Sequence, residues 1–182
     1  MRKKLLIVLA VFLVLVIGFV GFVAMRPADF RIVRSTTISA PPADVFPQVN
    51  DFHNWNNWSP WAKIDPNMKA VYEGPESGEG AVYKWFGNDD VGEGIMQITE
   101  SKPDEEIKIR LEFIKPFAGL NTTLFTFKPE GDKTVVTWDM SGKNPFLGKL
   151  FHLIMDMDKM VGDQFEKGLA QMKSVVETKK TE

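Results

Sequence analysis

Ile107-Lys108-Ile109-Arg110-Leu111-Glu112-Phe113 alternates apolar and charged residues without a fault. A period of two places Ile107, Ile109, Leu111 and Phe113 on one face of a strand and Lys108, Arg110 and Glu112 on the other, so one face meets a core and the other meets water. Working outward, Phe30 to Ser39 is rich in β-branched residues, Gly80 to Phe86 carries aromatics, and Val91 to Glu100 contains Ile and Thr. Leu120 to Phe127 and Lys133 to Ser141 read the same way, and Met68 to Tyr72 adds a weaker segment. Gly87-Asn88-Asp89-Asp90, Lys102-Pro103-Asp104, Lys115-Pro116 and Glu130-Gly131-Asp132 separate these runs as turns. Seven strands with connections this short predict antiparallel hairpins.

Two helical regions flank the strands. Pro41 to Val49 predicts a short helix after the first strand, with prolines tolerated in its first turn and Pro47 ending or kinking it. Asn144-Pro145 predicts the start of a long helix running to about Glu177, with Asn144 as N-cap and Pro145 at the first helical position. Val161, Phe165, Leu169, Met172 and Val176 give its later half one apolar stripe. Phe146 to Met160 is apolar on nearly every side, which requires a second partner besides the sheet: a cavity, a covering loop, the membrane or another protein.

Ser39-Ala40-Pro41-Pro42-Ala43-Asp44-Val45-Phe46, the tryptophan segment Trp55-Asn56-Asn57-Trp58-Ser59-Pro60-Trp61, Val91-Gly92-Glu93-Gly94 and the terminal helix stand in an order that resembles the helix-grip superfamily of START lipid-transfer domains and pollen-allergen proteins, and in particular its bacterial polyketide-cyclase-like branch. The resemblance spans Phe30 to Val176. It implies an α+β fold in which a seven-stranded antiparallel curved sheet grips a long C-terminal helix, with a cavity between them for hydrophobic small molecules. It does not imply one activity, because such folds host carriers, cyclases and regulators alike.

At the N-terminus, Met1-Arg2-Lys3-Lys4 precedes an uncharged run from Leu5 to Met25. Its 21 positions make a helix of about 31 Å, against a bilayer core of roughly 30 Å. A cleaved signal has a shorter apolar region ending in a small-x-small site, whereas this run closes as Gly21-Phe22-Val23-Ala24-Met25-Arg26, so an uncleaved anchor is the favoured reading. Three cations before the run predict a cytoplasmic N-terminus and an extracytoplasmic domain, as in a bacterial cell-envelope protein. The expected organisation is a transmembrane anchor at 1–25, a linker at 26–29, a ligand-binding domain at 30–178 and a tail at 179–182. Without Arg2, Lys3 and Lys4 the 22 cations of the chain become 19 against 24 anions, a balance that argues against nucleic acid as a partner. The chain has no cysteine, which suits an oxidising compartment without proving one.

Candidate ligand contacts follow from residue type. Trp58 and Trp61 suit a cavity rim, where an apolar ring with one N–H meets an amphipathic ligand; they equally suit a structural role pinning a loop, or interfacial anchoring. Phe151 and Met155 are the expected contributions of the long helix, and Trp85, Phe113, Phe125 and Trp138 those of the sheet. The methionines Met155, Met157 and Met160 are ordinary core filler or adaptable pocket lining. No catalytic residue, metal site or cofactor is assigned: His53 and His152 lie far apart in sequence, and Asp156 with Asp163 reads as a solvated stripe. An enzyme acting on a hydrophobic substrate, as a cyclase, isomerase or hydrolase, is the rival to a tethered binding module, with Asp139, Asp158 or His53 as acid or base. A docking domain for a protein partner is a third reading.

Overall fold

The computed structural model describes residues 2–179, so the expected tail lies outside the described residues except for Lys179. Seven strands, β1 (Asp29–Ile38), β2 (Lys69–Glu73), β3 (Val82–Phe86), β4 (Glu93–Lys102), β5 (Glu106–Lys115), β6 (Gly119–Glu130) and β7 (Lys133–Lys143), form one antiparallel sheet. Their order is β1-β7-β6-β5-β4-β3-β2, so β2 to β7 meander as hairpins and β1 closes on β7. The alternation in β5 is realised: Ile107 and Ile109 are fully buried, while Lys108 and Arg110 are exposed. Register shifts between β4 and β5 at Glu93/Gly94 and Ile98/Glu100 bend the sheet, as bulges do.

The concave face holds the core. Ile32, Val136, Trp138, Phe125, Phe127, Ile107, Ile109 and Ile98 line it, and α6 (Met157–Lys179) supplies Phe165, Leu169, Met172 and Val176 against them. This is the helix-grip α+β arrangement. Pro47 separates α2 (Pro42–Val45) from α3 (Pro47–Asn50), the kink its sequence predicts. A 3-10 turn, α4 (Trp55–Trp58) and a second 3-10 turn at Pro60–Lys63 then carry the tryptophans across the sheet. Trp55 Nε1 donates to the Val49 carbonyl at 3.1 Å and Trp58 Nε1 to the Gln48 carbonyl at 2.8 Å, which allows both indoles to be buried.

Two expectations for the terminal helix are corrected. It is two helices, α5 (Phe146–Ile154) and α6, separated at Met155, whose backbone is extended at φ −123 and ψ 138. Asp156 is exposed, as a solvated acid is, and also caps α6: its Oδ1 accepts the Lys159 backbone N–H at 3.0 Å. Asn144 makes no cap bond for α5, which begins after an extended Pro145, and the Asn144 N–H instead reaches the Ala28 carbonyl at 2.8 Å. The expected linker is also shortened, because Asp29 already pairs with Lys143.

α1 (Arg2–Ala24) precedes the sheet. Its side chains from Leu5 to Phe22 are exposed, and its length and composition suffice to cross a membrane. Its end meets the domain: Val23 is fully buried, and Lys149 Nζ of α5 donates to the Ala24 carbonyl at 2.9 Å.

Candidate functional site

A cleft of about 520 Å3 opens where α5 gives way to α6, against the first strand. Phe30 and Ile32 form its floor, Leu153, Ile154, Met155 and Met157 its apolar wall, and Arg31, Asp156 and Asp158 its polar rim. The rim is tied down by ion pairs. Arg31 Nε lies 2.9 and 3.1 Å from the two oxygens of Asp139, and this hydrogen bonding raises the guanidinium pKa above its ordinary value. Arg34 joins β1 to α6 through Asp158 at 3.0 Å and Glu166 at 2.9 Å, and the Asp158 hydrogen bond is the main cause of its own raised pKa. Gly162 lets α6 approach: a Cβ there would overlap the Arg34 guanidinium. Asp139 and Asp158 are therefore paired with cations, and Asp158 is exposed, unlike the desolvated carboxylic acid that acid catalysis in an apolar pocket calls for.

A second cleft of about 310 Å3 lies between the first 3-10 turn and the β2–β3 hairpin, lined by Phe52, His53, Tyr72 and Glu73 among others. His53 stacks on Tyr72 with ring centroids 4.0 Å apart, and its Nδ1 is 2.7 Å from Asp51 Oδ1. Asp51 also accepts the His53 backbone N–H at 2.8 Å, so the carboxylate orients the ring.

A model of the family described as polyketide cyclase / dehydrase and lipid transport matches residues 29–177. The chain belongs to this family. A comparison with the curated proteins finds no match. Solved structures share the family fold at low identity. Protein MLL2253 from Mesorhizobium loti is 14% identical, with 82% of this chain and 98% of that one covered at a TM-score of 0.60. Protein CV1439 from Chromobacterium violaceum is 16% identical, with 84% and 99% covered at 0.58, and Ara h 8.0201 is 13% identical, with 82% and 99% covered at 0.57.

Within this family member, Val91-Gly92-Glu93-Gly94 is a packing device. Gly92 has φ +70 and a Cβ there would overlap the Lys115 carbonyl; at Gly94 it would overlap the Trp85 ring. The eight residues expected to meet ligand fall into four groups. Trp58, Phe125 and Trp138 lie inside the core, with Trp61 half-buried on their flank; Trp138 is 4.8 Å from Phe125, 5.5 Å from Trp58 and 5.8 Å from Trp61 between ring centroids. Trp85 and Phe113 meet edge-on at 5.9 Å further along the sheet. Phe151 faces Phe117 at 5.4 Å on the surface, and Met155 lines the larger cleft. Phe30, Arg31, Ile32, Leu153, Ile154 and Met157 line that cleft beyond the sequence expectation. Periodicity held no signal for them, because apolar residues run through Met155 on both sides and the joint shows only in its extended backbone.

Proposed function

We propose that the domain is a binding module for a hydrophobic small molecule or lipid, held at a membrane by α1 with its N-terminus cytoplasmic. The observation that carries this reading is the open cleft at the α5–α6 joint: its 520 Å3 lie in the range of small-molecule sites, and it sets the apolar side chains of Phe30, Ile32, Leu153, Ile154, Met155 and Met157 beside the charged Arg31, Asp156 and Asp158, as an amphipathic ligand requires. The family description names lipid transport beside cyclase and dehydrase chemistry.

The test is mass spectrometry of the full chain released from mild detergent after purification from cells. A stoichiometric apolar adduct in the wild type, lost in Met155→Glu, is the expected result. An adduct unchanged by that charge would remove the cleft from the proposal, and a clean apo mass in both would remove carriage of a resident ligand. The His53–Asp51 pair favours a second reading, hydrolysis or isomerisation at the smaller cleft. In that case His53→Gln abolishes turnover while leaving any adduct in place.

A further inference from the structure

α5 is amphipathic, yet its apolar side is not covered. Phe146, Leu147, Leu150, Phe151 and Ile154 fall within an arc of about 140° on the helix, with Gly148 and Lys149 on the other side. In α6 the corresponding stripe is sealed, with Phe165, Leu169, Met172 and Val176 at 4% exposure or less. In α5, Phe146 is 42% exposed, Leu147 51% and Ile154 74%. The tip of the β5–β6 hairpin extends the same surface, for Phe117 meets Phe151 and stays 51% exposed.

The position of this face identifies its partner. α5 packs on the end of α1 through the Lys149 bond to the Ala24 carbonyl. Residues 25–28 alone join α1 to β1, and four residues reach at most about 14 Å. An apolar helix and an aromatic hairpin tip are thus fixed beside the point where a membrane-spanning α1 leaves the lipid. Phe, Leu and Ile side chains along one side of a helix, with no acidic residue in it, are a composition that lies in the headgroup boundary of a bilayer. We infer that α5 and the β5–β6 tip form a membrane-contact face whose partner is the bilayer crossed by α1. The inference rests on the anchor reading above. It also gives the cleft an entry route: Ile154 belongs to both the face and the cleft wall, so an apolar ligand passes between lipid and protein without crossing water.

The chain lacks cysteine, so single labels can be placed in the full protein. Leu13→Cys, Leu147→Cys, Ile154→Cys, Phe117→Cys and Asp132→Cys each carry a fluorophore, in vesicles of phosphatidylcholine with brominated acyl chains. Asp132 serves as the distant reference, because β6 separates it from the hairpin tip by about 36 Å. Quenching at 117, 147 and 154 that is roughly five-fold stronger than at 132 is expected for shallow burial in the interface. Quenching at 13 with 117, 147 and 154 no stronger than 132 overturns the face and leaves the anchor standing. No quenching at 13 overturns the anchor itself. Quenching absent at 147 but replaced by label–label transfer between copies assigns the face to self-association and overturns the inference.

Discussion

Gly94 leaves no room for a side chain, because the Trp85 ring lies across its α-carbon. Gly94→Val forces that ring aside in a closely packed layer, and a loss of about 1–3 kcal/mol is expected, read as a lower midpoint in urea unfolding of the full chain in mild detergent. A midpoint within error of wild type would mean that the ring rotates freely. Tyr83 gives a pH-dependent test. Burial, with Tyr72 beside it, pushes its hydroxyl pKa up to about 12. The folded state therefore holds the phenolic proton more tightly than the unfolded chain, whose tyrosine titrates near 10. That contribution to stability is fully present below pH ~10 and is lost as pH rises from about 10 to about 12. The chain has only two tyrosines, so difference absorbance should resolve a late phenolate step that Tyr83→Phe removes. A single step near pH 10 for both would contradict the burial. Neither residue was legible in this role from sequence, since both depend on which strands become neighbours: Trp85 lies opposite Gly94, and Tyr72 opposite Tyr83.

The two parts of the terminal helix make opposite predictions about the same residue type. Leu169 in α6 is 1% exposed inside the core, so Leu169→Ala should cost about 2–5 kcal/mol by the same unfolding measurement. Leu147 in α5 is 51% exposed, and Leu147→Ala should stay within about 0.5 kcal/mol. Equal losses would mean that α5 is covered by protein after all. The strands and the apolar stripe of α6 could be read directly, because alternation in Ile107 to Phe113 and the spacing from Val161 to Val176 each report one buried face. The break between α5 and α6 could not be read from periodicity, because apolar residues continue through Met155 on both sides. What ends α5 is the extended backbone of Met155, and what starts α6 is a capping carboxylate at Asp156 that resembles any solvated acid until its bond to Lys159 is seen. The candidate site sits on that break, so most of its wall escaped the sequence while Met155 did not.

At the scale of the whole molecule, the end of α1, the start of the sheet and α5 come together at one end of the domain. α1 enters at the end of the sheet where β1 begins and β7 finishes, since Asp29 pairs with Lys143 and the Ala28 carbonyl takes the Asn144 N–H. The cleft and the exposed α5 lie at that same end, whereas the β6–β7 turn lies at the far end of β6. On the proposed anchoring, the direction in which α1 crosses decides which compartment would supply the proposed ligand. Arg2, Lys3 and Lys4 lie before the apolar run, and Arg26 follows it in company with Asp29, so the excess of positive charge favours a cytoplasmic N-terminus and an outward domain. Alkaline phosphatase fused after Glu182 should then be active in a bacterial host, and a β-galactosidase fusion at the same point inactive. Replacing Arg2, Lys3 and Lys4 by Ser and adding three Lys after Arg26 should weaken or reverse that pattern, because the charge difference is what orients the helix. An inactive phosphatase fusion in the wild type would place the cleft in the cytoplasm, and the ligand would have to be sought among inner-leaflet lipids and cytosolic metabolites.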